Sequence, residues 1–128
     1  MSATDTAAAT ANARAEVLTR ALLEVARRLE LGSTDLQQVL GISQPTASRL
    51  RAGRWTLVEG TKTWELAAAL VRLYRSLSSL VGGSDELART WLRSGNAAFD
   101  GRRPVDEIRR IEGLVHACEY LDAHRARV

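Results

Sequence analysis

The stretch 61–81 constrains the fold most. Trp64, Ala67, Ala68, Val71, Tyr74 and Leu77 recur at helical spacing, and Leu70, Leu73 and Leu80 widen that face. A helix apolar over so much of its circumference must be buried on more than one side. It therefore needs other helices around it.

The rest of the chain supplies them. Ala, Leu, Arg and Glu are frequent, aromatic residues make up only 5%, and β-branched runs are scarce. That composition predicts an all-α protein of one or two small domains. Residues 1–13 carry no large apolar side chain after Met1 and read as a disordered tail. A first helix follows over 14–31, with Val17, Leu18, Ala21, Leu22, Val25, Ala26 and Leu29 on its inner face and Gly32 as its left-handed cap. Ser33 or Thr34, with Gln37 behind, starts a short helix to residue 40. Ser43 and Pro45 start another, which Gly53 ends. Residues 54–60 form a linker, tethered by Trp55 and Leu57. Beyond Gly82 and Gly83, Ser84 caps a helix over 85–93, and a loop runs from 94 to 103. Pro104 opens a last helix reaching the chain end, with Val105, Ile108, Ile111, Leu114, Val115, Cys118 and Leu121 facing inward.

Lys plus Arg number 18 against 15 Asp plus Glu, a net charge of +3, and every cation except Lys62 is arginine. Arginine suits phosphates and carboxylates, but a GC-rich genome also enriches it. The lone Cys118 excludes an internal disulfide and fits a reducing cytosol. No apolar run approaches the ~20 residues of a membrane span, and the start lacks a signal-peptide pattern. The expected place is the cytoplasm, with no membrane contact.

Thr34 to Gly53 holds the chemistry. Two short helices meet at the turn Gly41-Ile42-Ser43, so one can brace the other for insertion into a major groove. Leu36, Leu40, Ile42, Ala47 and Leu50 line the inner faces. Ser43, Gln44, Thr46, Ser48, Arg49 and Arg51, with Thr34 on the first helix, are the candidate DNA-binding residues. Gln pairs with adenine, Arg with guanine, and Ser or Thr reaches phosphates or bases. Between Asp35 and Glu59 there is no acid, while Arg49, Arg51 and Arg54 are all present. A surface facing DNA needs that asymmetry. A plain helix-packing motif with polar outer residues is the alternative.

The run Leu36-Gln37-Gln38-Val39-Leu40-Gly41-Ile42-Ser43-Gln44-Pro45-Thr46-Ala47-Ser48-Arg49-Leu50, with Gly53, resembles the Xre-type helix-turn-helix family. The family usually has Ala where Gln37 stands, so Gln37 either faces solvent or spreads the helix pair. The chain after residue 60 is similar to the toxin-binding domain of Xre antitoxins paired with RES-domain toxins. The likeness lies in Glu65-Leu66-Ala67, Leu70 to Leu77, Gly82-Gly83, Trp91-Leu92-Arg93-Ser94, Asn96, Gly101-Arg102, Pro104, Glu112 to Val115 and Glu119 to Asp122.

This resemblance implies a helix-turn-helix domain over 14–60 and a small helical toxin-binding and dimerisation domain over 61–128. It implies a cytosolic antitoxin that neutralises a RES toxin, a class that consumes NAD. In such antitoxins the C-terminal end lies against the toxin's active site. Here that end offers Tyr120, His124, Arg125, Arg127 and Val128 as toxin-binding candidates. On residue pattern alone, Arg125 and Arg127 are equally a solvated helix end. Asn96 and Gly101 read as residues that order their loop rather than touch a partner. Trp64, Tyr74 and Trp91 read as core or subunit anchors, and the broad face of 61–81 suggests a homodimer.

Catalysis has little support. His116 and Cys118 are two apart on one helix and face different ways, and His116 and His124 are two turns apart. No phosphate loop, carboxylate pair or Ser-His arrangement is present, so no enzyme activity, metal or cofactor is expected. Two other functions stay open: a stand-alone helix-turn-helix regulator that dimerises through its second half, and an interaction module with a vestigial helix-turn-helix.

Overall fold

The computed structural model describes residues 3–125. All regular structure among them is helical: α1 (Ala3–Arg28), α2 (Ser33–Leu40), α3 (Gln44–Arg51), α4 (Lys62–Leu80), α5 (Asp85–Arg93), a 3-10 turn (Ala97–Phe99), α6 (Pro104–Glu107) and α7 (Ile111–Arg125). α4 is the central post. It packs against α7, α1, α2 and α5, burying Ala67, Leu70, Val71, Leu73, Ser76 and Leu77. Its broad apolar circumference is thus used largely within one chain.

α1 begins well before the expected start. The expected disordered tail, residues 1–13, is helical from Ala3 onward. The buried stretch around Leu22, Val25 and Leu29 supplies the costly helical nucleus, and the alanine-rich segment extends it at little cost. At the other end Glu30, not Gly32, takes the left-handed conformation, with φ 55°. The Leu31 N–H donates to the Ala26 carbonyl at 2.8 Å, and Leu31 is buried. This is the Schellman closure of a helix, made on a non-glycine residue. Gly32 is extended and serves as the N-cap of α2. The acid that completes this cap is Asp35, whose Oδ2 accepts the Gly32 N–H at 3.3 Å, rather than Gln37 acting with Thr34. Gln37 turns back along its own helix and donates to Ser33 Oγ at 3.2 Å. The helix pair stays closed, with Leu36, Leu40, Ala47 and Leu50 buried between.

The last helix is two helices. α6 ends at Glu107 and α7 starts at Ile111. The break lets α6 lie on α5 while α7 lies on α4. Gly113 makes the turn possible, because a Cβ there would sit 1.9 Å from the Glu107 carbonyl oxygen. Three residues expected inside are exposed instead: Val17 on α1 is 63% exposed, and Ile111 and Val115 on α7 are 57% and 48% exposed.

Polar contacts join the first and second halves of the chain. Arg89 and Arg93 on α5 donate to the carbonyls of Arg28 and Glu30, capping the end of α1 at 2.9 and 2.8 Å. Arg28 pairs with Asp85 at 3.0 Å, and Tyr74 donates to the same carboxylate at 2.8 Å. Arg109, in the turn before α7, pairs with Asp35 on α2 at 2.9 Å. No helix among the described residues is long and apolar enough to cross a membrane.

Candidate functional site

The first candidate surface is α3. Ser43 is its N-cap, as the sequence predicts, and its Oγ accepts the Thr46 N–H at 3.3 Å. The same hydroxyl donates to Thr46 Oγ1 at 3.0 Å. Ser43 and Thr46 therefore satisfy each other and shape the helix start, and Thr46 is half-buried. Ala47 and Leu50 point inward, which turns Pro45, Ser48 and Arg49 fully outward. Gln44, Ser48 and Arg51 share one flank and line a shallow cleft of about 410 Å³ with Ser33. Thr34 is exposed at the start of α2. Arg49, Arg51 and Arg54 are exposed, and none forms an ion pair among the described residues. The seven candidates thus divide: Gln44, Ser48, Arg49 and Arg51 present free polar groups, Thr34 sits beside them, and Ser43 and Thr46 hold the scaffold.

The second surface is the end of α7. The Tyr120 and His124 rings lie tilted against each other, at 34°, with centroids 4.0 Å apart. His124 Nδ1 donates to the Tyr120 carbonyl at 2.8 Å, which fixes the ring and leaves Nε2 for another partner. Trp91 of α5 stacks on Tyr120 at 6.3 Å, and Phe99 meets Trp91 edge-on at 6.3 Å. Phe99 also meets His116 edge-on at 4.9 Å, and His116 Nε2 donates to the Ala98 carbonyl at 2.8 Å. An aromatic wall thus supports the last turn of the chain. Arg125 is exposed at its end, and Arg127 and Val128 lie outside the described residues.

Sequence pattern alone does not assemble this wall. Trp91, Phe99 and His116 come from three segments, and only the loop 94–103 brings them together. That loop is ordered as the pattern predicts. Asn96 Oδ1 accepts the Ala98 N–H at 2.9 Å, and Gly101 takes φ 82°. Asp100 is also left-handed, with φ 55°.

Electrostatics underpin α7. Asp122 accepts from Ser76 Oγ at 2.7 Å and also pairs with Arg72, and these two partners hold its carboxyl below the usual range. Burial pushes the Cys118 thiol up, and it donates to the Ala69 carbonyl at 3.4 Å. No group of three or more His, Cys, Asp or Glu able to hold a metal occurs among the described residues.

Two family models match. Residues 8–72 match the antitoxin Xre-like helix-turn-helix domain, and residues 76–127 match the antitoxin Xre/MbcA/ParS C-terminal toxin-binding domain. The two matches meet inside α4. A chain in the crystal structure of the M. tuberculosis MbcT–MbcA toxin–antitoxin complex has a similar fold, with a TM-score of 0.65 and 21% identity. The likeness covers 88% of this chain and 96% of that one. A comparison with curated proteins found no match. The chain belongs to the Xre-type antitoxins, with a helix-turn-helix half joined through α4 to a C-terminal toxin-binding domain.

Proposed function

We propose that this antitoxin neutralises a RES-domain toxin, of the class that consumes NAD, by direct binding in the cytoplasm, and that as a homodimer it represses its own operon. It performs no catalysis itself. The observation that carries this reading is the division of the exposed surface. Unpaired arginines gather on α3, while a close Tyr120–His124 ring pair stands at the end of α7. Gln44, Ser48, Arg49 and Arg51 read the operator, with Thr34 and the α2 start on the phosphates. Ser43 and Thr46 position α3.

At the other surface Tyr120 and His124 form a rigid rest for the chain end. Arg125, Arg127 and Val128 then enter the toxin's pocket. An arginine fork suits the acidic catalytic groups of such a site.

Co-expression tests the reading. A RES toxin encoded beside this chain is expected to stop growth alone and to be silent with the chain present. Removing residues 125–128 is expected to abolish neutralisation while leaving binding to the promoter fragment intact. Full neutralisation by the truncated chain overturns the assignment of its end. Equal killing with and without the full chain overturns the antitoxin–RES pairing and favours a stand-alone regulator.

A further inference from the structure

We propose that the groove between α1 and α4 receives the outward face of α7 from a second copy of this chain. The inference rests on the homodimer reading above and names its surfaces. The groove has a volume of about 400 Å³, an apolar lining that includes Val17, Leu18 and Val71, and a rim of Arg14, Arg72 and Arg75. Val17 is 63% exposed, so a large apolar side chain stands in water at its mouth. Arg14 is paired with Glu59 and Arg72 with Asp122, but Arg75 has no ion-pair partner among the described residues.

The complement to this surface lies on the same molecule. Ile111 and Val115 are one helical turn apart on α7 and both exposed. Glu112 and Glu119 stand beside them, exposed, and neither forms an ion pair among the described residues. One face is therefore apolar with one surplus cation, Arg75, and the other is apolar with two surplus anions. Opposite charges around an apolar contact fix register and steer encounter.

The two faces adjoin, because Arg72 at the groove rim pairs with Asp122 on α7. Adjoining complementary faces allow a reciprocal two-fold pairing, in which each copy gives its groove and its α7 face to the other. Two grooves cannot face one another as well, since their arginine rims would meet. The helical turn of α7 puts Tyr120 and His124 on a different side from Val115, so the aromatic wall stays open to the toxin.

The test is sedimentation velocity on the full chain over a micromolar concentration series, with circular-dichroism melts to verify folding. Val17 is mostly exposed, so Val17→Glu is expected to fold normally and to yield monomer. Arg75→Glu alone, and Glu112→Arg with Glu119→Arg, are each expected to weaken dimerisation roughly tenfold or more. Mixing those two variants is expected to restore dimers, because both contacts in the mixed pair are again opposite in charge.

A wild-type chain that stays monomeric sinks the homodimer reading and this surface with it. A dimer that Val17→Glu leaves intact overturns the surface alone. Charge variants that weaken the dimer but fail to restore it on mixing exclude α7 as the occupant. Cross-linking from residue 17 to a co-expressed toxin, instead of to a second copy, gives the groove to the toxin and also overturns the proposal.

Discussion

Asp122 illustrates how one carboxylate joins two helices and makes the join pH-dependent. Ser76 donates to one of its oxygens, Arg72 pairs with the other, and both lower its pKa. A carboxyl whose folded pKa lies below its unfolded value stabilises the protein above the ordinary carboxylate range. That stabilisation is lost as pH falls through the folded pKa. Asp85, held down chiefly by the Tyr74 hydroxyl, and Asp106, held down by Arg103, act in the same direction. Asp122→Asn is expected to lower stability near neutral pH by about 1 kcal/mol, since the amide keeps an acceptor for Ser76 but loses the charge for Arg72. Thermal melts should show that deficit shrinking as pH falls below the ordinary carboxylate range, about 4, and through the lower folded pKa of the wild-type carboxyl. A deficit independent of pH would show that the charge contributes nothing. Arg49 is the residue-scale test at the other surface. It points straight out from α3 and has no ion pair among the described residues, so Arg49→Ala is expected to leave the melt unchanged. A gel-shift titration on the promoter fragment should show a loss of roughly 1–3 kcal/mol in affinity. Undiminished affinity would remove α3 as the reader.

At the scale of elements, sequence legibility tracks how local the cause is. Ser43 and Ser84 cap α3 and α5 as read, because a cap is decided within four residues, and Thr61 caps α4 by the same chemistry. The α2–α3 pair and the breadth of α4 are legible for the same reason: apolar periodicity and turn chemistry are local signals. The single last helix was not, because Pro104 to Leu121 keeps helical spacing through the break. What divides it is a tertiary approach, the Gly113 backbone lying against the Glu107 carbonyl. The aromatic wall was hidden likewise, since Trp91, Phe99 and Tyr120 share no sequence period. The early start of α1 was missed for a different reason: low hydrophobicity argues for a tail, while alanine propensity beside a formed helix argues for extension. Gly113→Ala tests the division of the last helix directly. Its methyl would overlap backbone, which cannot step aside as a side chain can, so a loss of about 2 kcal/mol or more is expected in urea unfolding. A neutral result would mean that α6 and α7 do not pack this closely.

At the scale of the whole molecule, the helix-turn-helix and the helices of the toxin-binding domain pack as one body. α4 packs against α1 and α2 from the first half and against α5 and α7 from the second. α5 arginines cap the carbonyl end of α1, and the Arg109–Asp35 pair ties the turn before α7 to the start of α2. Asp35 is shared, with one oxygen on Arg109 and the other on the Gly32 N–H. A chain below about 150 residues with such cross-links should unfold in one step. Trp55 stands in the first half and Trp91 in the second, both partly buried against the core, so each reports on its own half. In urea, chains retaining Trp55 alone or Trp91 alone, with Trp64 and the other tryptophan replaced by Phe, are expected to show coincident fluorescence transitions. Arg109→Gln removes the ionic link without touching the core, and should shift both transitions together to lower urea, by about 1 kcal/mol for a half-exposed pair. Separate transitions for Trp55 and Trp91 would mean that the two halves are independent domains on a common helix. Coincident ones would mean that the two halves, joined through α4 and the Arg109–Asp35 pair, unfold as one unit.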